Sequence, residues 1–197
     1  RTISMSNKYF GGIVEDKVVV GDYDDDLKAV VTGTRDKVAE KMADLRVADS
    51  MTEIFNLFRR CNRYTDETMP WVLAKDEASK DRLATVLYNL VEGITIGASL
   101  LSPYMPETSE KIFAQLNTSM VEFDNLATFG NYKSGTKVTE KPQILFARLD
   151  EKEVMEKAKV LMEKQAASVK AANAAVEEDT VIDIEPKDET TFDDFTK

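Results

Sequence analysis

The stretch from Glu77 to Leu101 constrains the fold more than any other part of this chain. Leu83, Val86, Leu87, Leu90, Val91, Ile94, Ala98 and Leu101 recur along it at helical spacing. Ser102-Pro103 ends it, because proline disfavours helical geometry in the residue before it. A helix of that length with an apolar stripe has to bury the stripe against other elements. Gly93 and Gly97, four residues apart, strip one face of side chains and allow close helix–helix approach. The apolar run falls short of the roughly 18 residues needed to span a bilayer, so no membrane partner is expected.

Further helical patterns surround this one. Thr2 to Phe10 is closed by Gly11-Gly12, and Ile13 to Tyr23 reads as a loop. Asp24-Asp25-Asp26 reads as an N-cap with favourable dipole charges for a helix over 27–45. The inner stripe expected there is Val30, Val31, Val38, Met42 and Leu45, with Gly33 as a weak point. Residues 46–64 follow with Val47, Met51, Ile54, Phe55, Phe58 and Cys61 inward, and Pro106 opens a helix carrying Ile112, Phe113 and Leu116. Residues 117–139 read as irregular and 143–146 as a short extended piece. A last helix spans 151–176 and is expected to pack back on the bundle. The expected fold class is therefore all-α: an antiparallel helical bundle over 1–150, then a C-terminal helix and an acidic tail.

Composition excludes several functions. There are no histidines, which removes His-dependent nucleophilic sites and most zinc geometries. The eight glycines are scattered and form no phosphate loop. No catalytic, metal or cofactor site is expected within the chain. A single cysteine fits a reducing, cytoplasmic location, and Cys61 itself reads as a small core residue. Residues 177–197 carry a net −7 of the chain's −10, leaving −3 for residues 1–176. A near-neutral body has no broad basic surface, so any nucleic-acid contact would be local. The N-terminus, Arg1-Thr2-Ile3-Ser4, and the Thr191-Phe192-Asp193-Asp194-Phe195 segment after the acidic linker both suggest a piece of a longer polypeptide.

The segment from Cys61 to Val72 holds the only Trp and the only Cys. Pro70 fixes the backbone where the Trp71 ring emerges and pushes Met69 out of helical geometry. Asn62, Arg63, Asp66 and Glu67 supply hydrogen-bonding groups nearby, so the segment suits a flat, edge-bonding ligand such as a nucleobase. It equally suits a helix corner with a half-buried Trp. Asn62 and Arg63 serve a helix end as well as a ligand, Asp66 suits a hydrogen bond from the backbone or Arg63 while facing a ligand with its charge, and Arg59 and Arg60 suit phosphates or solvent.

Ser4-Met5-Ser6-Asn7-Lys8-Tyr9-Phe10-Gly11-Gly12 and Asn62-Arg63-Tyr64-Thr65-Asp66-Glu67-Thr68-Met69-Pro70-Trp71 resemble the anticodon-binding domain of bacterial methionyl-tRNA synthetases. Their order and separation, and the Leu100-Leu101-Ser102-Pro103-Tyr104-Met105-Pro106 break, also match. The resemblance implies the helical bundle of a class I aminoacyl-tRNA synthetase that reads the CAU anticodon of methionine tRNAs. It implies that Trp71 stacks on the first anticodon cytosine and that Arg1, from an Asn-x-x-x-Arg motif, contacts anticodon bases. It implies that Asp66 helps reject wrong anticodons, with Asn62 and Pro70 completing the site. A catalytic domain using ATP and magnesium is implied upstream and a tRNA-binding domain downstream, so the fragment alone is expected to be inactive. The alternative from another class is a helical protein–protein or dimerisation module. An exposed or a buried Trp71 ring discriminates the two.

Overall fold

A computed structural model describes residues 1–146 and 149–179, with side chains to Lys170. Residues 180–197, including most of the expected acidic linker and Thr191 to Phe195, lie outside the described residues. Helices α1 (Thr2–Phe10), α2 (Asp24–Ala43), α3 (Val47–Thr68), α4 (Pro70–Leu73), α5 (Lys80–Leu101) and α6 (Pro106–Leu116) make up the first of two compact units, Arg1–Leu145. The second unit contains α7 (Glu151–Asp179), which runs three residues beyond the predicted end. It starts where the Asp150 carboxylate accepts the Lys152 N–H at 2.9 Å.

The apolar stretch at 77–101 becomes a 3₁₀ turn (Glu77–Ser79) followed by α5. From Leu83 to Leu101 every residue except Ile94 is buried. By length and composition this helix could cross a membrane, yet 94% of its most apolar window lies inside the protein. It contacts α1, α2, α3, α4 and α6.

α3 runs antiparallel to it. Tyr64 meets Asn89, Cys61 meets Gly93, and Phe58 meets Gly97. The two glycines do what their spacing predicts. A Cβ at Gly97 would lie 2.6 Å from the Phe58 ring, and one at Gly93 would lie 2.9 Å from Cys61 Sγ. α2 and α3 form a second antiparallel pair, with Asp24 beside Tyr64 at one end and Met42 beside Ser50 at the other.

The α2 stripe differs from its prediction. Leu27, Val31, Thr34 and Val38 are buried, whereas Val30 is half-buried and Met42 is exposed. Leu45 is 85% exposed with φ 58°, because it turns the chain from α2 into α3 instead of continuing the helix. The Asp24 side chain is not a cap. Tyr23 takes the N-cap position without a side-chain bond, and Asp24 turns inward.

Two long connections are tied down by contacts too short in sequence to show as periodicity. Ile13–Val14 (β1) pairs antiparallel with Thr136–Lys137 (β2), inside segments expected to be irregular. Glu92, fully buried on α5, accepts the backbone N–H groups of Gly130, Asn131 and Tyr132 at 2.9, 2.8 and 2.6 Å. One carboxylate thus satisfies three loop donors that would otherwise be orphaned. Tyr88 and Tyr132 close the same region, their hydroxyls donating to the Tyr132 and Leu116 carbonyls at 2.8 Å each.

The glycines give a paired prediction. Gly33 sits inside α2 with nothing within 4 Å of a built Cβ, so Gly33→Ala should raise stability. The gain should be about 0.5–1 kcal/mol from helix propensity. Gly97→Ala should lower stability by about 1–3 kcal/mol, because the added methyl collides with the Phe58 ring. Urea denaturation of the two variants should move in opposite directions. A neutral Gly97→Ala would show that α3 and α5 can separate at no cost.

Candidate nucleic-acid interface

The candidate site sits on the last two turns of α3 and the corner that follows. Met69 adopts the left-handed conformation, φ 44° and ψ 64°, and ends α3. A non-glycine residue there is strained, and the proline after it removes the helical alternative. Its N–H donates to the Thr65 carbonyl at 3.1 Å and its carbonyl accepts from Val72 at 2.8 Å. Pro70 is buried at the first position of α4, where a missing N–H costs nothing. Trp71 follows with 40% of its surface exposed, and its indole N–H makes no hydrogen bond among the described residues.

The back of this turn is locked by a buried polar network. The Tyr64 hydroxyl donates to Asp24 Oδ1 at 2.6 Å and accepts from Asn89 Nδ2 at 3.2 Å. Arg82 grips the same carboxylate with two parallel bonds of 2.7 Å and donates to the Val19 carbonyl at 2.8 Å. Burial alone pushes the Asp24 carboxyl up. The Arg82 guanidinium and the Tyr64 hydroxyl outweigh that and hold it below the ordinary carboxylate value. Burial, reinforced by Asp24, pushes the Tyr64 phenol well above its usual range. Arg60 lies over the Tyr64 ring and is itself 9% exposed. It bridges Asp26 at 2.6 Å and Glu67 at 3.0 Å, and Glu67 also takes Arg63 at 2.8 Å. Arg60 is therefore committed within the protein, Arg63 is paired with Glu67 but 76% exposed, and Arg59 stands exposed with no ion pair among the described residues. Cys61 is buried, and burial raises its thiol to about 12, which leaves it unreactive.

The front of the same turn is open. Asn62 and Asp66 are exposed, one helical turn apart. Arg1, at the start of α1, brings Nη2 to 4.0 Å from Asp66 Oδ1, the two side chains being 67% and 70% exposed. A pair this exposed contributes little stability. Arg1 and Asn62 also line a cavity of about 340 Å³ over an apolar floor that includes Ile94, Ile112 and Leu116. Gln115, Pro142 and Gln143 form part of its wall. Arg1, Asn62 and Asp66 are thus brought together from distant parts of the sequence. Pro70 and Trp71 stand at the corner beyond them, and no hydrogen bond or ion pair joins Trp71 to the three among the described residues. Sequence reasoning missed Gln115 and Gln143, which belong to no motif. Among the described residues there is no cluster of metal-ligating side chains.

Together these features define a class: an all-α domain with an arginine- and amide-rimmed cavity and a separate exposed aromatic corner. Residues 14–166 match the family model described as the anticodon binding domain of methionyl tRNA ligase. The methionine–tRNA ligase of Clostridium perfringens is 40% identical over 197 residues, the whole of this chain and 29% of its own length. That of Bacillus subtilis is 35% identical over 199 residues, covering 99% of this chain and 29% of its own. The apo structure of Mycobacterium tuberculosis methionyl-tRNA synthetase superposes with a TM-score of 0.69 at 28% identity. It covers 76% of this chain and 30% of that one. The chain belongs to the family of anticodon-binding domains of methionyl-tRNA ligases. It spans under a third of the length of the relatives it matches.

The Asp24–Arg82 pair sets a stability prediction. Arg82→Ala strands a carboxylate that is 1% exposed, and removal of one partner of a buried pair typically costs about 3–5 kcal/mol. The pair's stabilisation is complete above the ordinary carboxylate value and is lost as pH falls toward the lower value in the folded protein. Chemical denaturation across this acidic range should show that loss in the parent chain and a smaller one in Asp24→Asn. Equal slopes for the two would remove Asp24 from the acid response.

Proposed function

We propose that this chain reads the CAU anticodon of methionine tRNAs as part of a methionine–tRNA ligase. In this reading the ligase joins methionine to its tRNA in a catalytic domain that uses ATP and magnesium. A further tRNA-binding domain follows the acidic linker, and the 197-residue chain binds RNA without aminoacylating it. The observation that carries the reading is the convergence of Arg1, Asn62 and Asp66 beside one cavity, next to an exposed Trp71.

The chemistry follows from those groups. Bases of a single-stranded loop are free to splay out, and an exposed aromatic face stacks on them whatever their sequence. Trp71 supplies that face to the first anticodon cytosine, and Pro70 sets the direction in which the ring emerges. Arg1 and Asn62 offer hydrogen bonds to base edges. Asp66 forms a long ion pair with Arg1 at 4.0 Å, and its negative charge repels base edges that present acceptors. Recognition is local because the body is near neutral, so sequence preference should survive at salt concentrations that abolish non-specific binding.

Titration with a CAU anticodon stem-loop against one altered at the first base, at one stated salt concentration, tests the whole reading. Equal affinities would overturn it. Trp71→Ala should weaken CAU binding by about 1–3 kcal/mol, or roughly 5- to 150-fold. In the complete ligase that loss should appear in tRNA charging and leave methionine activation unchanged. Asp66→Ala should narrow the ratio between cognate and altered loops, and an unchanged ratio would make Asp66 structural.

A further inference from the structure

The cavity beside Arg1 contains a side chain whose orientation is fixed by the backbone around it. Gln115 lies on α6, next to Leu116 of the cavity floor. Its backbone carbonyl accepts the Thr139 N–H at 2.9 Å and its side-chain Oε1 accepts the Gln143 N–H at 2.7 Å. A backbone N–H can only donate, so the amide oxygen must face Gln143 and the NH2 end is turned away from it. That NH2 end makes no hydrogen bond among the described residues, and Gln115 lines the cavity with Arg1 and Asn62. The wall it grips is held from a second side as well, since Asn7 Nδ2 donates to the Thr139 carbonyl at 2.8 Å.

The rim is therefore rich in donors. The Arg1 guanidinium can only donate and the acceptor of Gln115 is already used, while the Asn62 and Gln143 amides can each do either. Among the described residues no carboxylate lines the cavity. The floor of Ile94, Ile112 and Leu116 is apolar, which suits the face of a ring and not a phosphate. A cavity of about 340 Å³ is at the small end of ligand sites. The matching ligand is flat, apolar on its faces and acceptor-bearing at its edge.

Resting on the anticodon reading above, we infer that Gln115 is a specificity-determining residue that donates to an acceptor on the edge of an anticodon base seated in this cavity. The base on Trp71 and the base over Ile94 are then different nucleotides, one held by stacking and the other by its edge. The Gln143 N–H is the positioning group that aims the amide, and the Thr139 N–H holds the Gln115 backbone from behind.

Gln115→Glu tests this, since a carboxylate still accepts from Gln143 but presents an acceptor where the donor stood. The 197-residue chain and its variant would be titrated with the CAU stem-loop and with three loops, each abasic at one anticodon position. The variant should weaken CAU binding about tenfold, the order of one hydrogen bond. That penalty should vanish for one abasic loop and persist for the other two. The neutral Gln115→Met gives the same coupling without added charge. A penalty equal against all four loops, or no penalty, overturns the assignment to Gln115. If the parent chain itself binds all four loops alike, the anticodon reading fails and this inference fails with it.

Discussion

The fold depends on how closely α3 can approach α5. Phe58 and Cys61 lie where side chains at Gly97 and Gly93 would otherwise stand, which lets α3 seat its buried stripe directly on the most apolar helix of the chain. Tyr64 continues that line and ends it in a polar lock with Asp24, Arg82 and Asn89. The last turns of α3 are thus fixed along one face by packing and by hydrogen bonds. Their opposite face is left free to carry Asn62 and Asp66. Rigidity behind and openness in front come from the same helix, and this is what a preorganised binding surface requires.

Charge is arranged with the same economy. Arg60 and Arg63 would form a basic patch if they were unpaired, but Glu67 pairs with both along α3 and Asp26 takes Arg60 from α2. What remains beside the cavity is one guanidinium, restrained by a single long ion pair to Asp66. On the proposed reading, such a surface discriminates by the shape and edges of a few bases, since little general attraction to a phosphate backbone remains. The acidic residues concentrated after Glu177 fit the same picture at the level of the whole sequence.

Much of this was legible from the residues. Gly11 and Pro106 each mark a helix boundary through backbone constraints that act locally, and Pro70 does put Met69 outside α3, although the helix read as 46–64 runs on to Thr68. The glycine spacing on α5 foretold a close contact, though not its partners. The misreadings share one cause, which is action at long range. Asp24 looks like a cap in a run of three aspartates, and the Arg82 that claims it is 58 residues away. Arg60 looks available until Asp26, 34 residues upstream, is folded against it. Leu45 continues an apolar rhythm yet lies in a left-handed turn, where its exposure cost is outweighed by the packing of the two helices it joins. Glu92 and Gln115 carry no motif, and only the folded chain shows the backbone N–H groups that each one satisfies.

The corner at Met69 has a consequence of another kind. It places the chain's only tryptophan at the surface, five residues beyond Asp66, while two of its six tyrosines, Tyr64 and Tyr132, are fully buried. Indole emission excited at the red edge of the absorption band therefore comes from this one position alone. Solvent, a stacked base or a covering protein each gives that ring a different polarity and a different quencher. The domain carries its own optical probe, unlabelled, at the corner where recognition is assigned.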